Sequence, residues 1–367
     1  MRIFPEPTAE DLCATSMISQ KLAEGACQVL ETQKGLPTLL DYAKGFELVF
    51  VKEDFNILLE HRQWDHAIEL IPGSESKSSK VYPLSPVEQK ELNFFLEENL
   101  HTRWIHPSKS LMVAPVFFIK KKDGSLQLVQ DYRVLNSMMV KNKYLFSLIS
   151  ELISQLYRAR YFTKLDVCWG FNNVCIKPGD KWKMAFQTNW GLFKPLVMFF
   201  GMTNSPAIFQ TMMNNIFRDL IAEGIMVVYL NDILIFTRTE EEHTKAIRWV
   251  LQVLQENKLF LCLEKYEFCK ERIEYLGLVI LENKVSMDPV KVAEVREWPT
   301  PENKTNVQAF LGFVNFYWRF IQDFSAKARP LFDLTCSKQV WTWSEKGQAA
   351  FEDLKTAVTT ALVLMSP

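Results

Sequence analysis

The sequence predicts an α+β fold built on antiparallel hairpins, and three observations lead there. Ile225–Tyr229 and Ile233–Thr237 are apolar, β-rich runs on either side of a short turn at Leu230–Asp232. Such a pair reads as a buried central hairpin. Val116–Lys120 and Leu126–Val129 flank Asp123-Gly124, a hairpin turn signal. Helical stretches alternate with these hairpins without the strand–helix–strand regularity of a doubly wound sheet.

The elements follow in order. Residues 9–33 carry the pattern of an amphipathic helix, and residues 72–80 (PGSESKSSK) form a linker. Ser85-Pro86 opens a helix through Leu100, with proline early and Glu88 in the first turn. Residues 147–158 read as a helix, and Tyr161–Val167 as a strand that carries Asp166 at its end. One helix is predicted over 204–223 and another over 240–257. Short strands are predicted near 259–263 and 273–280. The tail from Pro289 to Leu364 reads mainly helical, punctuated by Pro299-Thr300-Pro301 and Pro330.

With 367 residues, 48% hydrophobic and 23% charged, the chain has an ordinary globular composition. That excludes a wholly disordered protein. The net charge of −1 speaks against a simple nucleic-acid binder, but the average hides a gradient. Residues 1–79 carry −6, residues 80–200 carry +8 and residues 201–367 carry −3. A basic middle third can face a polyanion. Seven cysteines show no C-x-x-C pair and no zinc-finger spacing with histidine. Met1-Arg2 and the acidic stretch after it do not form a signal peptide. No apolar run approaches the ~18 residues of a membrane span. These features predict an intracellular protein, in a cytoplasmic particle or the nucleus, that is not secreted and has no membrane partner.

Asp166 at a strand end and Asp232 at a hairpin tip stand out chemically. Each alone reads as a turn-capping aspartate. Together, carboxylates beside a buried sheet suit Mg²⁺, a hard cation that keeps waters and substrate phosphates among its ligands.

Eight further stretches carry a specific resemblance, taken in order along the chain. They are Trp64–Leu70 (WDHAIEL), Tyr82–Gln89 (YPLSPVEQ), Phe117–Gly124 (FFIKKKDG), Asp131–Asn136 (DYRVLN), Leu165–Asn173 (LDVCWGFNN), Phe200–Gln210 (FGMTNSPAIFQ), Tyr229–Phe236 (YLNDILIF) and Phe310–Asp323 (FLGFVNFYWRFIQD). Tyr275–Gly277 (YLG) adds a ninth. The chain resembles the reverse transcriptases of gypsy-like long-terminal-repeat retrotransposons, particularly of mushroom-forming fungi.

The resemblance implies a right-hand polymerase. Residues 1–80 would be an N-terminal extension and linker, 81–165 mostly fingers, 166–283 palm and 284–367 thumb and connection, ending before any ribonuclease H domain. It implies RNA-directed DNA synthesis with Mg²⁺ (Mn²⁺ as a possible substitute), deoxynucleoside triphosphates and a primer-template of RNA or DNA. Asp166 and Asp232 become metal ligands, and Asn231 stands in the catalytic hairpin beside them. Phe171 becomes the steric gate against a 2′-hydroxyl, with Phe200 also in the substrate site. Lys121 and Gln127 would meet the triphosphate. Arg133 would serve the template strand, and Tyr275, Leu276 and Gly277 the primer grip.

Departures from the family pattern matter as much. The hairpin reads Tyr229-Leu230-Asn231-Asp232 where the family carries two aspartates. A neutral amide cannot replace the carboxylate that binds both ions, so severely reduced activity is expected, down to a remnant that at most binds nucleic acid. Gln127 stands for an arginine and loses its charge and fork geometry. Cys168, Cys175 and Trp318 also occupy arginine positions, so the cysteines call for no metal or redox role. The stripe Phe310, Phe313, Phe316, Tyr317 and Phe320 is expected to pack a core, and His101, His106 and His243 to lie on the surface or in loops.

Overall fold

The structure is a computed structural model. It describes residues 44–50, 60–76, 80–121, 124–144, 151, 154–156, 158–261, 267–336, 341–360 and 362–364. The helices expected over 9–33 and, for the most part, 147–158 lie outside these residues. The chain forms two compact units. One takes residues up to 146, 165–233 and 244–266, and the other takes 147–164, 234–243 and 267 onward.

In the first unit, helix α1 (Pro86–His101) starts where the capping signal places it. Ser85 N–H donates to Glu88 Oε2 at 2.8 Å, and Ser85 Oγ accepts from Glu88 N–H at 3.4 Å. This reciprocal box satisfies two donors that a helix start leaves open. Leu92 and Leu96, one turn apart, are fully buried. Strand β1 (Ile105–Pro107) follows, then β2 (Val116–Lys120) and β3 (Leu126–Gln130), which pair antiparallel with Ile119 opposite Gln127. The short helix α2 (Arg133–Met138) comes next.

Strand β4 (Tyr161–Asp166) ends on Asp166 as expected. Strands β5 (Phe186–Thr188) and β6 (Gly191–Pro195) complete a small sheet in the order β1-β6-β5. The helix predicted over 204–223 is two helices, α3 (Ser205–Ile216) and α4 (Arg218–Ala222). Between them Phe217 leaves helical geometry (φ −101°, ψ 19°) with its ring fully buried. No Gly or Pro marks the break, so tertiary packing sets it. The central hairpin forms as read, from β7 (Met226–Tyr229) and β8 (Asp232–Thr237). Asp232 is the first residue of β8 rather than part of the turn. Helix α5 spans Glu240–Glu256.

The region after α5 corrects the reading. Leu261 contributes only an isolated bridge to Val167, and β9 (Glu267–Lys270) was not anticipated. The run 273–280 is two strands, β10 (Arg272–Tyr275) and β11 (Leu278–Leu281), with Tyr275 paired to Leu278. Leu276 and Gly277 both take positive φ, 50° and 76°, the signature of a two-residue hairpin turn. Strand β12 (Lys284–Met287) continues the meander.

The tail is helical through α6 (Pro289–Arg296), α7 (Lys304–Asn315), α8 (Phe324–Thr335) and α9 (Glu345–Thr360). It closes with a strand, β13 (Leu362–Leu364), on the edge of the sheet β10-β11-β12-β13. The aromatic stripe packs this unit only in part. Phe310 is buried, with its ring 4.6 Å from Phe351, and Tyr317 is buried, whereas Phe316 is 44% exposed.

His101 and His106 are exposed, but His243 is fully buried. Its Nε2 lies 2.7 Å from Thr163 Oγ1 and its Nδ1 lies 3.0 Å from Thr237 Oγ1. Thr237 donates its hydroxyl proton to Thr239 O, so it accepts from Nδ1–H. Thr163 already accepts from Cys269 N–H, so it donates to Nε2. The ring is thus a neutral staple, joined to β4 and β8 near the start of α5.

Candidate active site

Two neighbouring strands build the site. The second four-stranded sheet has the order β7-β8-β4-β9, so the C-terminal end of β4 lies next to the start of β8. Asp166 and Asp232 stand at those ends. The hairpin tip is tied to the end of β4 by a hydrogen bond from Val167 N–H to Asn231 O at 2.9 Å.

A side chain on α3 fixes the tip. Gln210 Oε1 accepts from Leu230 N–H at 2.7 Å, and its Nε2 donates to Val228 O at 2.9 Å. Gln210 is 4% exposed. Its brace holds Leu230 in the left-handed region (φ 53°), which few non-glycine residues adopt. Gln210 carries a role that the sequence reading left unassigned, although it closes the quoted run FGMTNSPAIFQ.

Asn231 lies against the turn Gly170–Asn173. A Cβ on Gly170 would fall 2.1 Å from Asn231 Oδ1 and 2.7 Å from its Cγ, so a side chain there would have to displace the Asn231 amide. Asn231 Oδ1 is buried without a hydrogen-bond partner, and such atoms are rare. That oxygen, on the residue before Asp232 in the chain, packs on Gly170, and an amide carbonyl is a donor that a hard cation accepts as well as carboxylates.

The same turn presents Phe171. Its ring meets Phe200 at 5.2 Å and Phe209 at 5.7 Å, both edge-on. Phe200 is 48% exposed. Its loop is clasped by Asn136, which donates to Gly201 O and accepts from Thr203 N–H. Phe171 and Phe200 are therefore brought together with the hairpin tip, in the same unit as Asp166, Asn231 and Asp232.

Lys121 and Gln127 belong to the separate β2–β3 hairpin. Lys121 N–H bonds Ser125 O at 2.8 Å, two pairs beyond Ile119 opposite Gln127. Residues two apart along a strand share a face, so Lys121 and Gln127 lie on one side of the hairpin. Arg133 is paired rather than free. Its Nε donates to Asp131 Oδ1 at 2.9 Å and its Nη2 to Oδ2 at 2.6 Å. Tyr82 O–H donates to the same carboxylate. These bonds, Arg133's first, hold Asp131 down at about 2. The arginine side chain remains 82% exposed, so one face of the guanidinium is open to solvent. Tyr275, Leu276 and Gly277 fall in the second unit, at the β10–β11 turn, where Asp288 N–H bonds Gly277 O.

Two cysteines at the expected arginine positions have defined surroundings. Cys168 is disulfide-bonded. Cys175 is buried, and its thiol is grouped with His61 and Asp65.

The sequence profile of the family described as reverse transcriptase (RNA-dependent DNA polymerase) matches residues 119–280. The transposon Tf2-3 polyprotein of Schizosaccharomyces pombe is 32% identical over 297 residues, covering 81% of this chain and 22% of the polyprotein. The Tf2-7 polyprotein of the same organism matches equally. The chain thus spans about a fifth of the length of these curated relatives. Among solved structures, a foamy viral protease-reverse transcriptase in complex with double-stranded DNA superposes with a TM-score of 0.76 at 21% identity, over 88% of this chain and 57% of that one. A foamy viral protease-reverse transcriptase with an RNA/DNA hybrid gives 0.74 at 21% identity, over 90% and 44%. The fold is that of the right-hand polymerases. Among the described residues, no helix is long and apolar enough to cross a membrane.

Proposed function

We propose that residues 119–280, which the reverse transcriptase profile matches, form a reverse transcriptase domain like that of the Tf2 retrotransposon polyproteins, and that the chain is the polymerase part of a gypsy-like element of the mushroom-type fungal clade. Its ancestral reaction is template-directed DNA synthesis on RNA or DNA, inside the cell, with its own rate severely reduced by Asn231. The proposed anatomy is an extension and linker over 1–80, fingers mostly over 81–165, palm over 166–283 and thumb with connection over 284–367.

Asp166 and Asp232 would hold two divalent cations, Mg²⁺ or Mn²⁺, and Asn231 would offer its amide oxygen beside them. When bound, the metal supplies positive charge at the attacking 3′-hydroxyl and the leaving pyrophosphate. Phe171, braced by Phe200 and Phe209, excludes a 2′-hydroxyl and so selects deoxynucleotides. Lys121 holds the triphosphate by charge, and Gln127 adds neutral hydrogen bonds from the same face of the hairpin. Arg133 serves the template strand through its open face, and the tight turn Tyr275–Gly277 positions the primer.

The observation that carries the reading is the neutral, unpartnered Asn231 oxygen at the tip beside Asp232. One missing carboxylate next to two divalent cations removes several kcal/mol of transition-state stabilisation, and each ~1.4 kcal/mol is tenfold in rate. Primer extension on a defined RNA template, with Mg²⁺ and with Mn²⁺, tests this. Asn231→Asp is expected to exceed the natural chain by at least about a hundredfold. Robust and equal rates would overturn the reading. Two inactive proteins that still bind primer-template would instead favour a remnant that only binds nucleic acid.

A further inference from the structure

Three ligating side chains of different chemistry meet away from the polymerase site, in the first unit. They are His61, Asp65 and Cys175. The nitrogen, carboxylate oxygen and sulfur all lie within 4.8 Å of one another. His61 Nδ1 contacts Asp65 Oδ2. Arg62 N–H holds the other oxygen, Oδ1, at 3.0 Å and so orients the carboxylate.

We propose that His61, Asp65 and Cys175 bind one Zn²⁺ ion, which clasps the segment before WDHAIEL to the 174–177 stretch. An imidazole, a carboxylate and a thiolate form a donor set suited to Zn²⁺, at bond lengths of roughly 2.0–2.3 Å. Such bonds around a tetrahedral ion place ligand atoms about 3.3–3.7 Å apart. The His61–Asp65 pair must therefore open, by a turn of the exposed His61 ring, while the remaining separations, at most 4.8 Å, close around the ion. That ring is on the surface (46% exposed), so it can turn, while Asp65 and Cys175 are largely buried and already placed. A water completes the fourth position on the exposed side.

The backbone already joins the two segments. His66 N–H donates to Cys175 O at 2.8 Å, and Lys177 N–H donates to His66 O at 2.9 Å. The ion would reinforce a docked strand and need not create one. Two cations face the cluster. Lys181 Nζ is 3.4 Å from His61 Nε2, and Arg62 reaches across to Asn257. Lys181 can only donate, so His61 Nε2 accepts from it and Nδ1 carries the proton that meets Asp65; ligation through Nδ1 therefore moves that proton to Nε2 and turns the ring away from Lys181. On binding, the Cys175 S–H gives its proton to solvent and the sulfur takes the metal.

The test is a Co²⁺ titration of the full chain, since Co²⁺ reports sulfur ligation by a charge-transfer band that aspartates cannot produce. One equivalent is expected to raise that band and the strong visible bands of a tetrahedral ion, and Zn²⁺ is expected to abolish both. Cys175→Ser should lose the charge-transfer band with an unchanged circular dichroism spectrum. His61→Ala, on the surface, should keep the fold and bind at least about tenfold more weakly, since losing even an outer partner of a ligand has that effect. No charge-transfer band, or one that survives Cys175→Ser, would overturn the proposal. Because Asn231→Asp leaves all three ligands in place, this result is independent of polymerase activity.

Discussion

The contact between Gly170 and Asn231 shows how tightly one position fixes another. The three atoms nearest to a Cβ at 170, all within 3.0 Å, belong to the Asn231 side chain. Gly170→Ala is therefore expected to destabilise the protein by about 1–3 kcal/mol, as overpacking does. In an Asn231→Ala background those atoms are gone, and most of the penalty should vanish. Thermal melts of the four proteins of this double-mutant cycle check it, and equal penalties in both backgrounds would refute the contact. Asn231 itself was legible, because it interrupts a four-residue pattern. Gly170 and Gln210 were not. Each acts through a residue that the sequence separates by 61 and 20 positions, a Cβ clash in one case and a paired hydrogen bond in the other.

At the scale of elements, the His243 staple sets a pH dependence. Burial holds His243 at about 4, and His66, also fully buried, at about 4. Both values lie below the unfolded value near 6.5, so the unfolded chain binds more protons. Their contribution is fully present above pH 6.5 and is lost as the pH falls toward 4. Each histidine then removes about 1.4 kcal/mol per pH unit inside that window. His243→Gln should flatten the slope by that amount, read from denaturant unfolding at pH 7, 6 and 5. An unchanged slope would show that His243 is not buried neutral. Elements were read well where local chemistry defines them. Ser85 and Glu88 cap α1, and apolar runs flank the Tyr229–Asp232 tip. They were misread where packing decides. The break at Phe217 carries no breaker residue, and the Leu276-Gly277 turn hides inside an unbroken β-rich run. His243 was expected on the surface or in a loop, yet its partners lie on strands 80 and 6 residues away.

Across the whole molecule, positive charge is concentrated in the stretch 80–200. Its +8 is masked by acidic flanks, so a net charge of −1 misleads. If it meets a primer-template, affinity should fall at least about tenfold between 50 and 200 mM salt, because even a few phosphate contacts release counterions. Fluorescence anisotropy with a labelled duplex measures this, and a flat salt response would exclude the basic stretch as the contact. The α+β class was legible from hairpins and helices alone. The division into units was not, because it depends on which distant segments pack together.

That division has a consequence for inheritance. Each unit is assembled from three separate stretches of chain, and residues 147–164 and 234–243 of one unit lie between stretches of the other. A single recombination crossover anywhere from residue 147 to 266 would give both units mixed parentage. A single crossover outside this interval divides only one of the two units between parents. Within it, the two units must change together, and a copy that drifts in one cannot be repaired by importing the other as a block.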